Sequence, residues 1–155
     1  MITASLLRLS AAALLLLPAC QTTSPGKLNG AATTPPAPLR NTRWVLRQLG
    51  SDPVTTAADA READLLLRAD EPRVQGNGSC NGYSGTYEQA TPEQVRFGKL
   101  LSTRMACPAL ETETRFMDAL RQTAYFRISG DTLRLYAGPP AENPALARLE
   151  AVYTQ

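Results

Sequence analysis

Downstream of residue 40 the apolar residues fall mostly in short runs of period two, and only one stretch keeps a three-to-four spacing. Side chains alternate across a strand but recur every third or fourth residue on one helix face, so this pattern specifies a mainly β domain with a single helix. In 42–49, Trp44, Leu46 and Gln48 share one face, which predicts a strand with Trp44 and Leu46 inward. Segment 63–69, the turn Asp70-Glu71-Pro72 and segment 73–76 read as a hairpin. Further strands are expected at 85–89, 94–97 and 100–103, with Thr91-Pro92-Glu93 between the first two. Segments 126–129 and 132–136 flank Gly130-Asp131 as a tight hairpin. A last strand covers 147–153 with Leu149, Ala151 and Tyr153 on one face, while 50–59 and 137–144 read as loops.

The helix is expected over about residues 108–122. Pro108 suits a first helical position, Glu111 and Glu113 suit the positive end of the helix dipole, and Arg121 suits the other end. Leu110, Glu113, Phe116, Met117 and Leu120 follow three-to-four spacing, and Phe116, Met117 and Leu120 form the apolar stripe expected to pack in the core. The expected fold is therefore α+β and mainly β: an antiparallel sheet, curled or closed into a partly open barrel, packed with one main helix.

The first forty residues carry different signals. Residues 1–19 contain one charge, Arg8, and an apolar run over 11–17 that is too short to span a bilayer and fits the core of a secretory signal. The run ends in Leu17-Pro18-Ala19-Cys20, which resembles the lipobox of bacterial lipoproteins, with Pro18 in place of a small residue. Residues 1–19 are thus expected to be a signal peptide and Cys20 the lipidated residue. A thiolate is the nucleophile such acylation chemistry needs, and two or more acyl chains anchor stably. By analogy with lipoprotein sorting in enteric bacteria, Gln21 favours the outer membrane, facing the periplasm. Residues 20–40 are rich in Thr, Pro, Gly and Ala and lack aromatic residues, so they read as a tether, and the folded domain is expected over 41–155.

Charge and cysteine content narrow the function classes. Sixteen basic and fourteen acidic residues are interspersed without a basic block, so nucleic acid is not an expected partner. The chain has no histidine, which removes Ser-His-Asp and Cys-His catalysis and the commonest transition-metal ligand. No cofactor is expected. Of the three cysteines, Cys20 is assigned to lipid, leaving Cys80 and Cys107 as the one possible intramolecular pair in an oxidising compartment. Two cysteines without histidine make a poor zinc site, and their spacing is not that of a CxxC redox motif.

Two blocks carry a resemblance. Gly78-Ser79-Cys80-Asn81-Gly82-Tyr83-Ser84-Gly85, followed by Leu101-Ser102-Thr103-Arg104-Met105-Ala106-Cys107-Pro108 and a helix with a glutamate, resembles the META domain, or HslJ-like, family. Glu113 or Glu111 would match that glutamate. The resemblance covers 41–155 and implies an antiparallel, barrel-like sheet packed with helix, often on an exported lipoprotein. It associates such domains with heat shock, aminocoumarin tolerance, motility or secretion, and implies no catalytic residue.

Read by chemistry, the blocks have two interpretations. In the structural one, Asn81 caps turn backbone, Gly82 and Gly85 relax the chain beside the disulfide, and Tyr83 packs with its hydroxyl paired. Thr103 and Arg104 then bond across strands. In the ligand-binding one, Asn81, Tyr83, Ser84 and Arg104 line a mouth. The expected function is that of a non-enzymatic, monomeric envelope lipoprotein, held to the membrane by its lipid, that binds an envelope protein or lipid ligand or supports the envelope under heat or antibiotic stress. The alternatives are a lipid or pilot-like carrier, for which an apolar barrel cavity would speak, and an inhibitor of a host hydrolase, with Lys99 on a protruding loop.

Overall fold

The computed structural model describes residues 35–56 and 60–153. The expected signal peptide, Cys20 and residues 20–34 of the tether lie outside them. Among the described residues there are ten strands and one helix. The strands are β1 (Arg43–Leu49), β2 (Asp52–Pro53), β3 (Asp64–Leu67), β4 (Arg73–Asn77), β5 (Gly82–Thr91), β6 (Gln94–Phe97), β7 (Leu101–Ser102), β8 (Tyr125–Ser129), β9 (Thr132–Tyr136) and β10 (Ala147–Val152), and helix α1 (Leu110–Gln122) precedes β8.

The sheet closes completely. The order runs β10-β9-β8-β6-β5-β4-β3-β1, and β1 pairs again with β10, giving an antiparallel barrel of eight strands. β2 extends from β1, and β7 pairs only with β5. The narrowest seam is β6–β8, where Gln94 faces Tyr125. Val95 N to Ala124 O (3.2 Å) and Phe126 N to Glu93 O (2.9 Å) continue it.

The alternation in the sequence fills the bore. Trp44, Leu46, Leu65, Leu67, Val74, Val95, Leu133, Leu135 and Leu149 are all fully buried or nearly so. An eight-stranded barrel is just wide enough for side chains to fill it, and these apolar residues do so. Each such burial stabilises the fold by roughly 1.5–3 kcal/mol. Helix α1 lays Phe116, Met117, Ala119 and Leu120 into the same core. It packs against β1, β6 and β9, which are not neighbours in the barrel, so it lies across the bore rather than along one wall.

Four expectations change. The folded part starts before residue 41: Ala37 and Leu39 belong to the core. Trp44 Nε1 donates to Leu39 O at 3.0 Å, and Ala37 N donates to Gly130 O at 3.0 Å. Two apolar residues flanking Pro38 give no periodicity, so composition alone placed them in the tether. Second, Pro108 is not in the helix. It sits in a turn closed by Leu110 N to Cys107 O (3.3 Å), and Ala109 is the cap. A missing N–H is as harmless in that turn as at a first helical position. Third, Leu110, which shares the three-to-four spacing of the stripe, is exposed, because it opens the helix where the chain emerges from that turn. Fourth, Tyr153 lies beyond the end of β10 and is exposed, unlike Leu149.

Candidate functional site

The two motif blocks meet around one buried carboxylate. Glu113 lies on the first turn of α1 and is almost completely buried, whereas Glu111 is exposed, so Glu113 is the motif glutamate. Its Oε2 accepts from Asn81 N (2.7 Å) and Asn81 Nδ2 (3.1 Å). Its Oε1 accepts from Asn81 Nδ2 (3.2 Å) and from the Ser102 hydroxyl (3.1 Å). A buried carboxylate needs such donors, because an unsatisfied one would carry its full desolvation cost.

Asn81 is the centre of this knot. Its Oδ1 accepts from Met105 N (2.7 Å) and from the Thr103 hydroxyl (2.9 Å), while Nδ2 also reaches Met105 O at 3.1 Å. The side chain therefore engages both backbone groups of Met105 and the motif glutamate together. That exhausts an amide's two donors and its acceptor. The capping expected of Asn81 is real, but its target is the distant 103–105 segment rather than its own turn.

Close approach explains two glycines. A Cβ on Gly78 would come within 2.6 Å of Glu113 Cγ, and one on Gly85 within 2.6 Å of Lys99 O. The left-handed backbone in this block falls instead on Ser79, at φ 98°. Cys80 and Cys107 form the expected disulfide, with Cα atoms 6.0 Å apart. It fastens the 78–82 turn to the start of the helix, beside the knot.

Tyr83 belongs to the core. Its ring meets Phe116 edge-on at 6.2 Å, and its hydroxyl donates to Asp64 O at 2.8 Å. Burial, and secondarily the Asp64 charge, push its phenol well above the ordinary range. Asp64 is a second junction that the sequence did not single out. Its side chain accepts from Arg43 Nε (2.6 Å) and Asn77 N (2.8 Å).

The residues proposed to line one mouth are divided. Asn81 and Tyr83 face inward and Arg104 is exposed. Ser84 points out of the barrel wall into a groove with Tyr83 at its edge, while Asn81 and Arg104 border a different groove. Thr103 bonds the Asn81 side chain rather than a neighbouring strand, since neither residue lies in a strand, and Arg104 makes no ion pair among the described residues. Around Arg104 the surface mixes polar groups with exposed apolar side chains. Leu101 (60 % exposed), Met105 (61 %) and Leu110 (46 %) line one open groove of about 560 Å³, together with Arg104 and Arg121. Met105 was singled out by the motif and Leu110 by the helical spacing, yet neither reading foresaw an exposed cluster.

A META domain family model matches residues 37–153. An NMR structure of a protein from Burkholderia xenovorans is similar at 23% identity with a TM-score of 0.59, covering 91% of this chain and 100% of that one. A further NMR structure is similar at 21% identity with a TM-score of 0.53, covering 72% and 88% respectively. Both likenesses concern the fold. No curated protein matches.

Proposed function

This chain belongs to the META domain family, and from that premise we propose that it is a non-enzymatic binding module, lipid-anchored through Cys20 on the periplasmic side of the outer membrane, that supports the envelope under heat or antibiotic stress. The observation carrying this reading is the fate of the motif's polar groups. Asn81, Glu113, Thr103 and Ser102 are engaged with one another and with the backbone of Met105. A catalytic acid, base or nucleophile must instead present its reacting atom to a substrate. What the same corner turns outward is Leu101, Met105 and Leu110 beside Arg104 and Arg121, exposed apolar side chains next to cations. Met and Arg side chains are enriched at protein-binding surfaces.

Internal carriage of lipid is the weaker reading, because apolar side chains occupy the bore. With an anchor at Cys20 and the folded part starting at Ala37, a random-coil tether of about sixteen residues would reach ~22 Å on average and place a partner near the membrane.

Complementation of a deletion strain tests the proposal. The strain is expected to become sensitive to heat or to a bulky antibiotic, and the wild-type chain to restore tolerance. Cys20→Ala and the double change Met105→Asp, Leu110→Asp should both rescue poorly at equal, folded expression. Full rescue by either variant would refute the part of the proposal it addresses, and turnover that copurifies with the domain would refute the non-enzymatic reading.

A further inference from the structure

A second groove, wider than the one beside the motif corner, crosses the outer wall of the barrel. It is open and encloses about 1120 Å³. Its floor is one cross-strand row in continuous register: Leu66 on β3 opposite Gln75 on β4, Gln75 opposite Ser84 on β5, and Ser84 opposite Leu101 on β7. Their sequence neighbours Leu65, Val74 and Tyr83 point into the core, so period-two alternation turns this row outward. Four strands at ~4.8 Å spacing make a strip roughly 14 Å long. An amide and a hydroxyl lie at its centre, and an isobutyl group at each end.

The polar centre has free capacity. Nearby groups are engaged: Asn41 Oδ1 accepts from Ala69 N, and the Thr42 hydroxyl donates to Pro38 O. The side chains of Gln75 and Ser84 have no hydrogen-bond partner among the described residues and face the groove. Of the two serines in the motif block, Ser79 donates its hydroxyl to Arg61 O (3.5 Å), whereas the Ser84 hydroxyl has no such bond.

Charge and backbone define what fits. Among the described residues the charged groups lining the groove are Arg43 and Asp64, joined at 2.6 Å. The groove therefore presents no net charge, and a phosphate or carboxylate finds no unspent cation there. β4 and the first part of β5 are paired on both sides, so their main-chain groups cannot add an extended peptide as another strand. The groove rim holds Tyr153, 62 % exposed, whose hydroxyl donates to Asp131 Oδ1 at 2.7 Å. That bond fixes the ring and leaves a face open.

An oriented aromatic face, aliphatic ends and a neutral amide–hydroxyl centre match the two sides of a sugar. Its C–H faces pack on apolar surface, and its hydroxyls both give and take hydrogen bonds. We propose that this groove binds a short, neutral oligosaccharide, with Gln75 and Ser84 reading hydroxyls and Tyr153 and Leu101 packing against ring faces. The two surfaces share Leu101, but Gln75 and Tyr153 line only this groove and Met105 and Leu110 only the other, so substitutions at those residues test each alone.

The test is NMR titration of the full chain in detergent micelles with chitotetraose, cellotetraose and maltotetraose. At least one should give saturable shifts centred on the amides of Leu66, Gln75, Ser84, Leu101 and Tyr153. Gln75→Ala and Tyr153→Ala should each weaken that binding about tenfold, the loss of one hydrogen bond or ring contact, without lowering Tm. The absence of saturable shifts from all three sugars at ~10 mM would overturn the proposal, as would binding that survives both substitutions. Stronger shifts of the same residues with inorganic phosphate or anionic vesicles would also overturn it.

Discussion

The hairpin β8–β9 with β10 and the corner built by the two motif blocks are held by opposite means. In the hairpin, Tyr125 to Ser129 pair in unbroken register with Tyr136 to Thr132, and β10 continues the ladder from Ala147 to Glu150. Backbone groups satisfy one another there, and the inward side is apolar: Phe126, Leu133, Leu135, Ala147 and Leu149. In the corner, β7 is two residues long and 103–107 has no regular structure. Its backbone groups are satisfied by side chains, above all those of Asn81 and Glu113. A ladder asks only for alternation and volume. An irregular corner asks for particular donors and acceptors at particular atoms, and that is why the recognisable motif lies there and not in the hairpin.

The largest test of this contrast is volume in the hairpin. Leu135→Ala should lower stability by about 2–5 kcal/mol, whereas Leu135→Met should cost less than about 1.5 kcal/mol. Urea denaturation reads both. Equal losses from the two would show that the hairpin, too, depends on side-chain identity.

Replacing both Cys80 and Cys107 by Ser should cost about 3.5 kcal/mol by the chain-entropy model. Amide exchange is expected to accelerate at 78–82 and 103–109 first, with the hairpin protected until global unfolding. Uniform acceleration across the domain would mean that the corner and the hairpin open together.

Glu113→Gln separates hydrogen bonding from shape. The amide keeps one acceptor but sets an NH₂ against the donors of Asn81, at a cost of roughly 2 kcal/mol, read by thermal melting. A Glu113→Gln protein as stable as wild type would leave the knot without an energetic role.

Smallest is Tyr83→Phe, at about 1 kcal/mol near neutral pH for the lost bond to Asp64 O. Its pH dependence is more telling. The folded phenol titrates above its unfolded value because it is buried. Wild-type stability from this group is therefore complete below the unfolded tyrosine value of about 10 and declines as pH rises above it. Tyr83→Phe should flatten that alkaline decline, measured as Tm against pH. An unchanged alkaline slope would assign it to other groups.

How much of this was legible in the sequence follows from the same contrast. Periodicity located β1, β3, β4, β6, β8, β9 and β10 nearly to the residue, since alternation is a local property written into each segment. The Gly/Asn block was harder. Its first half, 78–81, is a turn between β4, which runs to Asn77, and β5, which starts at Gly82, and its second half is strand. Its glycines serve close packing against Glu113 and Lys99, which only folding brings near. Ala37 and Leu39 were missed because two residues show no period. Ser102 and Asp64 were missed because polar residues reveal their partners only in three dimensions.

By itself the sequence determined the class of fold, the pairing of Cys80 with Cys107 and the motif residues Asn81 and Thr103 of the knot, because alternation, cysteine count and motif are carried along the chain. Tertiary structure alone decided that the sheet closes into a filled barrel, that Glu113 and not Glu111 is buried, and that Leu66, Gln75, Ser84 and Leu101 stand in one row. The reason is register. Which residues face each other across strands depends on how distant segments slide and close, and a shift of one residue would send every side chain of a strand to the other side of the wall.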